Sequence, residues 1–299
     1  MPSANSWVKA FRLRTLPLAL SSILMGSFLA VHSGTYHWTI IILAVVTTIF
    51  LQILSNLSND YGDAVKGTDN DNRLGPQRTV QSGEISPKQM KAAMFLFVVL
   101  TLITGVWLIV ESFGSEWMKA LLFLLFGLAA IAASIKYTVG KTAYGYAGLG
   151  DLFVFLFFGL LAVLGTYYLN TQNLPWLILL PAATLGFFST AVLNLNNMRD
   201  MENDLQSGKK TVAVRIGYQA ARRYQTFLIG TGFMASFIYV LLTYQSYWEF
   251  LFLITLPLFI ANLIGIYKVN DQKQLDPYLK KTALGTLLFV LVFGIGLFI

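Results

Sequence analysis

The 299-residue chain has no cysteine and only two histidines. Disulfides, thiolate nucleophiles and thiolate-held zinc are thereby excluded. His32 and His37 both fall in one short loop between apolar runs, a place that suits interfacial contact rather than general-base chemistry. Charge is also scarce. Only 12% of residues are charged, 56% are hydrophobic and mean hydropathy is +0.64, whereas an ordinary soluble domain carries roughly 25% charge. That balance places the chain in a bilayer. The middles of its apolar runs hold no Asp, Glu, Lys or Arg. Ion- and proton-coupled transporters commonly place ionisable groups at mid-depth, so this interior argues for an enzyme acting at one membrane face, with a lipid or diphosphate transporter as the alternative class.

What is present begins with nine apolar segments, near 16–31, 38–58, 92–110, 117–135, 149–169, 174–193, 224–243, 248–267 and 282–299, each long enough to span hydrocarbon as a helix. An all-α polytopic membrane protein is expected. With a cytoplasmic amino terminus, twenty of the 21 basic residues fall on the cytoplasmic side and only Lys119 falls outside, the asymmetry of the positive-inside rule. The formal charge of +7 then reflects topology and contact with anionic membrane lipid; no nucleic-acid module is visible. Trp7, Lys9, Phe11, Arg12 and Arg14 read as an interfacial lead-in to the first span, not as a cleavable signal.

Two polar stretches interrupt the apolar runs: NLSNDYGDAVKGTDND at 56–71 and NLNNMRDMENDLQSGKK at 194–210. Each opens with NLxN at the end of a span. On a helix, Asn56, Asp60 and Asp63 (i, i+4, i+7) share one face, as do Asn197, Asp200 and Asp204 (i, i+3, i+7). Either cluster alone could be helix caps. Two matched clusters point instead to divalent cations holding a phosphorylated ligand, because bare carboxylates repel a diphosphate and a bridging cation reverses the sign. Magnesium, a hard ion that takes carboxylate, carbonyl and phosphate oxygens, is the cation expected, with two or more ions. Asn56, Asp60, Asp63, Asn197, Asp200 and Asp204 are the candidate metal ligands. An apolar interior below this polar mouth suits an amphiphile with a charged head and a greasy tail. Four spans separate the two NLxN elements, so they approach the same face, which predicts one domain over residues 1–299 with spans 1–4 and 5–8 as parallel repeats and span 9 appended.

Three stretches carry a family resemblance: NLSNDYGDAVKGTDNDNRLGPQRTVQSG, YTVGKTAYGYAGLGDLFVFLFFG from Tyr137 to Gly159, and NLNNMRDMENDLQSGKKTVAVRIG. Together they resemble the UbiA superfamily of intramembrane prenyltransferases, and within it the MenA branch that prenylates 1,4-dihydroxy-2-naphthoate in menaquinone synthesis. The resemblance implies nine transmembrane helices around a central cavity, an inner-membrane location with the active-site mouth cytoplasmic, and Asp60, Asp63, Asp200 and Asp204 holding magnesium against a polyprenyl diphosphate. The family's first motif often spaces its acids four apart, whereas Asp60 and Asp63 are three apart; Asn56, Asn59 or Asp69 would complete the site. The acceptor implied is a dihydroxynaphthoate, prenylated with loss of carbon dioxide to give demethylmenaquinone. A relative acting on 4-hydroxybenzoate would keep the same metal site.

In such a reaction metal and basic side chains stabilise the leaving diphosphate while the allylic carbon–oxygen bond ionises. Lys66, Arg73, Arg78, Lys141, Lys209 and Lys210 are candidates for phosphate contact; Arg73 and Arg78 stand out because RLGPQR lies away from the span ends. Tyr61, Tyr137, Tyr144 and Tyr146 are placed to shelter a cation, an attraction of about 0.5 to 2 kcal/mol per ring, with Tyr137 favoured. Asp151, a lone carboxylate opening the fifth span, orients the acceptor or a lysine, or simply answers the amide dipole of a helix start. The polar segments at 59–91 and 197–223 are expected to fold over the cavity as a cap that excludes water.

Overall fold

The computed structural model describes residues 2–70 and 73–299. Asp71 and Asn72, inside the first polar motif, lie outside the described residues. Among the described residues there is no strand, and nine helices are long and apolar enough to cross a membrane. They are α1 Ala4–His32, α2 Trp38–Val65, α3 Pro87–Phe113, α4 Trp117–Lys136, α5 Gly150–Thr171, α6 Trp176–Arg199, α7 Tyr218–Thr243, α8 Tyr247–Lys268 and α9 Gln272–Phe298. A helix satisfies every backbone donor and acceptor internally, which hydrocarbon demands. All nine apolar segments form the expected helices, and the differences lie at one end. There α2, α3, α6 and α7 run five to seven residues beyond the apolar segments, and α1 and α9 twelve and ten, because the helical backbone continues into polar sequence that hydropathy does not register.

Local sequence sets the breaks. Ser86 and Gln89 form a capping box at the start of α3, with Pro87 in the first turn, where its missing N–H costs nothing. In α1 the helix stops at Phe11, Arg12 takes a left-handed conformation (φ 49°), and helix resumes at Leu16. In α5 the backbone widens to a π-helix over Phe155–Leu161. Gly159, within that stretch, lies against Gly186 of α6; a Cβ there would sit 2.5 Å from the Gly186 Cα.

The spans are unequally enclosed. In α9 and α6, 61% and 56% of the apolar window is buried, against 6% in α4, so α6 and α9 form the axis and α4 faces lipid. A block of phenylalanines, Phe188 of α6, Phe233 of α7, Phe252 and Phe259 of α8, and Phe289 and Phe293 of α9, fills the interior of the later half. Phe188, fully buried, sits at the centre of this block. The polar end of α2 and the polar end of α6 meet at one end of the bundle: the Asn203 amide, just past α6, donates to the Thr68 carbonyl, just past α2 (2.8 Å). Within 59–91, residues 59–65 remain helical; within 197–223, short helices Met201–Gln206 and Val212–Ile216 precede α7.

Candidate functional site

Four carboxylates and a set of cations interlock where α2 and α6 end. Asp63, on the last turns of α2, accepts from the Tyr146 hydroxyl (2.8 Å). Asp69 lies just beyond, its Oδ1 3.0 Å from Arg73 Nε and 3.8 Å from Arg78 Nε. Arg73 reaches across to Asp200 Oδ2 at 3.7 Å, so one guanidinium joins the two motifs. Asp200 is clasped in bidentate fashion by Arg199 (3.0 and 2.7 Å), which also pairs with Asp276 (2.5 Å). Lys209, buried, lies 3.5 Å from Asp204 Oδ1 and within the field of Asp63. Its ammonium and that of Lys66 bracket the Tyr146 ring, at 5.6 and 3.8 Å from the centroid.

The second motif is not one continuous helical face. Its helix ends at Arg199, Asp200 adopts a non-helical conformation, and Met201–Gln206 starts a new turn. That break allows Asp200 to turn to the arginines while Asp204 turns to Lys209. Gly75, in RLGPQR, sits where a Cβ would come within 2.6 Å of Arg199 Nη2 and 2.8 Å of Arg73 Nη2, so a larger residue there would displace the two guanidiniums.

Ionisation follows from burial and neighbours. Burial, reinforced by Asp63, pushes the Asp69 carboxyl up to about 7. Burial likewise lifts Asp204 to about 6, with Lys209 opposing. Burial works to raise Asp200 as well, but the Arg199 guanidinium outweighs it and holds that carboxyl below the usual range. Burial works against the Lys209 ammonium, and the carboxylates of Asp63 and Asp204 overcome it and raise its affinity for the proton. Burial lowers Lys66 and raises Tyr137 to about 12.

Among the described residues no three acidic or histidine side chains already converge on one point. The oxygen inventory nonetheless fits a hard cation. Asp69 Oδ2, Asn197 Oδ1, Asn203 Oδ1 and Asp204 Oδ2 are all buried without a hydrogen-bond donor. Buried acceptors normally find donors, and carboxylate and amide oxygens of this kind are the ligand types that magnesium takes.

Of the residues expected from sequence, Asp63, Asp200, Asp204, Lys66, Arg73, Arg78, Asn197 and Lys209 belong to this end of the bundle. Asn56 and Asp60 are committed elsewhere. The Asn56 amide donates to the Phe11 carbonyl and the Thr15 hydroxyl (both 2.9 Å) and its oxygen accepts from Gln52 (3.4 Å), fastening the break in α1 to α2. Asp60 accepts from the Thr79 N–H (3.2 Å), the Thr79 hydroxyl (2.7 Å) and the Val80 N–H (3.3 Å), folding 73–86 back onto α2. Tyr144 donates to the Ala133 carbonyl (2.9 Å) and stacks on Phe153. Lys210 and Lys141 have exposed side chains; Lys141 lines a cavity of about 420 Å³ with Tyr61, Lys66 and Thr138. Tyr137 packs against Gly145 and Gly150, and its hydroxyl lies in the combined field of Lys209, Asp63, Asp151 and Asp204.

Residues that the sequence did not single out for this site are Arg12 and Asn203. Arg12 Nη2 is buried without an acceptor, and its guanidinium faces Asp60 and Asp69. Nothing in sequence announces a left-handed arginine in an amphipathic lead-in. Asn203 neighbours Asp204 and was hidden by it.

The UbiA prenyltransferase family model matches residues 19–290. The chain is 40% identical to the 1,4-dihydroxy-2-naphthoate octaprenyltransferase of Escherichia coli (strain K12), covering 99% of this chain and 96% of that one. It is 33% identical to the protein of the same description from Mycobacterium leprae (strain TN), covering 97% and 95%. Among solved structures, the apo structure of a UbiA homolog from Aeropyrum pernix K1 superposes with TM-score 0.70 at 13% identity, covering 96% of this chain and 98% of that one. The structure of a UbiA homolog from Archaeoglobus fulgidus bound to GPP and Mg2+ superposes with TM-score 0.63 at 17% identity, covering 98% and 100%. With the family match spanning most of its length, nine apolar helices and this polar end, the chain is an integral membrane protein that belongs to the UbiA prenyltransferase family.

Proposed function

We propose that the protein transfers a polyprenyl group from polyprenyl diphosphate to 1,4-dihydroxy-2-naphthoate, with loss of diphosphate and carbon dioxide, to give demethylmenaquinone. The observation that carries this reading is the coupling of the two acidic motifs through Arg73, Asn203 and Lys209 around oxygens that lack donors. Relatives matched over nearly their whole length are described as acting on 1,4-dihydroxy-2-naphthoate, which supports this acceptor over 4-hydroxybenzoate. The distribution of basic residues supports a bacterial inner-membrane protein whose site opens to the cytoplasm. The parallel NLxN elements support one domain built from two repeats, spans 1–4 and 5–8, with span 9 appended.

Asp63, Asp69, Asp200 and Asp204, with Asn197 and Asn203, would hold two or more magnesium ions; Asn56 and Asp60 support the fold around them. Magnesium supplies electrostatic stabilisation of the departing diphosphate. Arg73, Arg78, Lys66, Lys209 and Arg12 add fixed positive charge to the same headgroup, most of it already buried and so not needing to shed water during the reaction. Tyr137, between these groups and α5, presents an aromatic face to the developing allylic cation, worth about 0.5 to 2 kcal/mol.

The test is turnover by the full chain in nanodiscs with magnesium, labelled polyprenyl diphosphate and either acceptor. Prenylated naphthoquinol with release of carbon dioxide, and its loss in Asp63→Asn and Asp204→Asn variants that still insert, is expected. No product from dihydroxynaphthoate, or equal product from 4-hydroxybenzoate, would overturn the reading.

A further inference from the structure

Asp151 is a buried acid near this end of the bundle that the metal and diphosphate chemistry does not absorb. It opens α5 and is 7% exposed, and its Oδ2 is buried with no hydrogen-bond donor. Asp69, Asp200 and Asp204 each have a guanidinium or ammonium within 4 Å. Among the described residues Asp151 has none; the polar side chain facing its carboxyl is the Tyr224 hydroxyl of α7. A buried carboxyl without a cation disfavours a diphosphate beside it, and it welcomes a hydroxyl that can donate to it.

Its position gives that hydroxyl a source. Gly150 packs on the Tyr137 ring and hydroxyl (3.3 Å from a would-be Cβ), and the Tyr137 hydroxyl lies in the fields of Asp151 on one hand and Asp63, Asp204 and Lys209 on the other. Asp151 therefore stands one tyrosine away from the diphosphate end. Flat rings flank it: Tyr144 stacks on Phe153 (4.0 Å), and Phe155, Phe187 and Phe227 run on to Tyr224. The π-helical stretch begins four residues later; such widened turns recur at functional positions.

We propose that Asp151 accepts the proton of a ring hydroxyl of the aromatic acceptor, making it the general base of the transfer; this rests on the function proposed above. The hydroxyl O–H bond breaks, its proton passes to Oδ2, and its electron pair stays on the ring oxygen. Density moves to the adjacent ring carbon bearing the carboxylate, which bonds to the prenyl C1 as the C1–O bond breaks and its pair departs on the diphosphate. The resulting β-keto carboxylate loses carbon dioxide, the freed pair restores the ring, and the oxygen retrieves the proton from Asp151. The acid ends as it began.

The experiment compares the full chain and its Asp151→Asn variant in nanodiscs, using the acceptor and its two mono-O-methyl ethers, of which only the one methylated at the oxygen adjacent to the carboxylate-bearing carbon cannot release that proton. Wild type should turn over the free acceptor and reject one ether. The Asn variant should bind magnesium and prenyl diphosphate as wild type does, lose about 10²- to 10⁴-fold in kcat with the free acceptor, and no longer distinguish acceptor from ether. Near-normal kcat, or retained discrimination, would overturn the proposal. If wild type itself ignores dihydroxynaphthoate, the function proposed above has failed instead, and prenyl diphosphate binding without turnover identifies that case. Should the Asn variant not insert, Asp151→Glu decides: it must keep the preference for the free hydroxyl, and a Glu variant without that preference would equally overturn the assignment.

Discussion

Replacing Lys209 with methionine removes the buried ammonium between Asp63 and Asp204 while keeping most of its volume. At the 3.5 Å separation from Asp204, two unit charges at an effective dielectric constant of about 20 attract by about 5 kcal/mol, part of which offsets desolvation. Truncating one partner of a buried pair costs about 3–5 kcal/mol, because the other charge is left uncompensated. The variant should therefore unfold far more readily than wild type in EDTA. Magnesium should restore more stability to the variant than to wild type, since a divalent ion held by the same carboxylates replaces the lost charge and no longer meets a fixed ammonium. Turnover should still be lost, because Lys209 contributes charge to the leaving diphosphate. Denaturant unfolding in nanodiscs, followed by tryptophan fluorescence with EDTA or with magnesium, measures both quantities. A variant as stable as wild type in EDTA, or one that gains no more from magnesium, would refute the placement of Lys209 between the acids.

Three further outcomes follow from the same geometry. Asp60→Asn, which weakens three hydrogen bonds to Thr79 and Val80, should cost about 1–3 kcal/mol and open 73–86 to protease while leaving measurable turnover, whereas Asp63→Asn should abolish turnover with 73–86 still protected; the reverse pattern would exchange their roles. Asp69 at about 7 and Asp204 at about 6 lie above the unfolded carboxyl value of about 4, so the folded state binds more protons between these values; the contribution of these two acids to metal-free stability should be fully present below pH 4 and fall as pH rises toward 7. Magnesium affinity should run the other way, rising from pH 5.5 to pH 8 with proton release, and a pH-independent affinity by calorimetry would count against both acids as ligands. Gly159→Ala forces a Cβ against the Gly186 backbone, and overpacking of this kind costs about 1–3 kcal/mol; an unchanged unfolding midpoint would show that α5 and α6 are not in that contact.

The amino-acid sequence by itself determined the all-helical membrane class, the nine spans and the meeting of the two acidic motifs at one end, because hydrocarbon length, backbone satisfaction and charge asymmetry are read one segment at a time. It also singled out Asp63, Asp200, Asp204, Lys66, Arg73 and Lys209, which the structure brings together at the polar end of the bundle. Spacing could not separate Asp60 from Asp63. They share a helix, and only the return of Thr79 and Val80 onto α2 commits Asp60 to donors while Asp63 faces Tyr146 and Lys209. Tertiary structure likewise decided that Asn56 ties α1 to α2, that Asp69 and Asn203 carry the oxygens lacking donors, and that Asp151 has no cation beside it. Those outcomes depend on partners tens to more than a hundred residues away, and a carboxylate's role is set by which donor reaches it first.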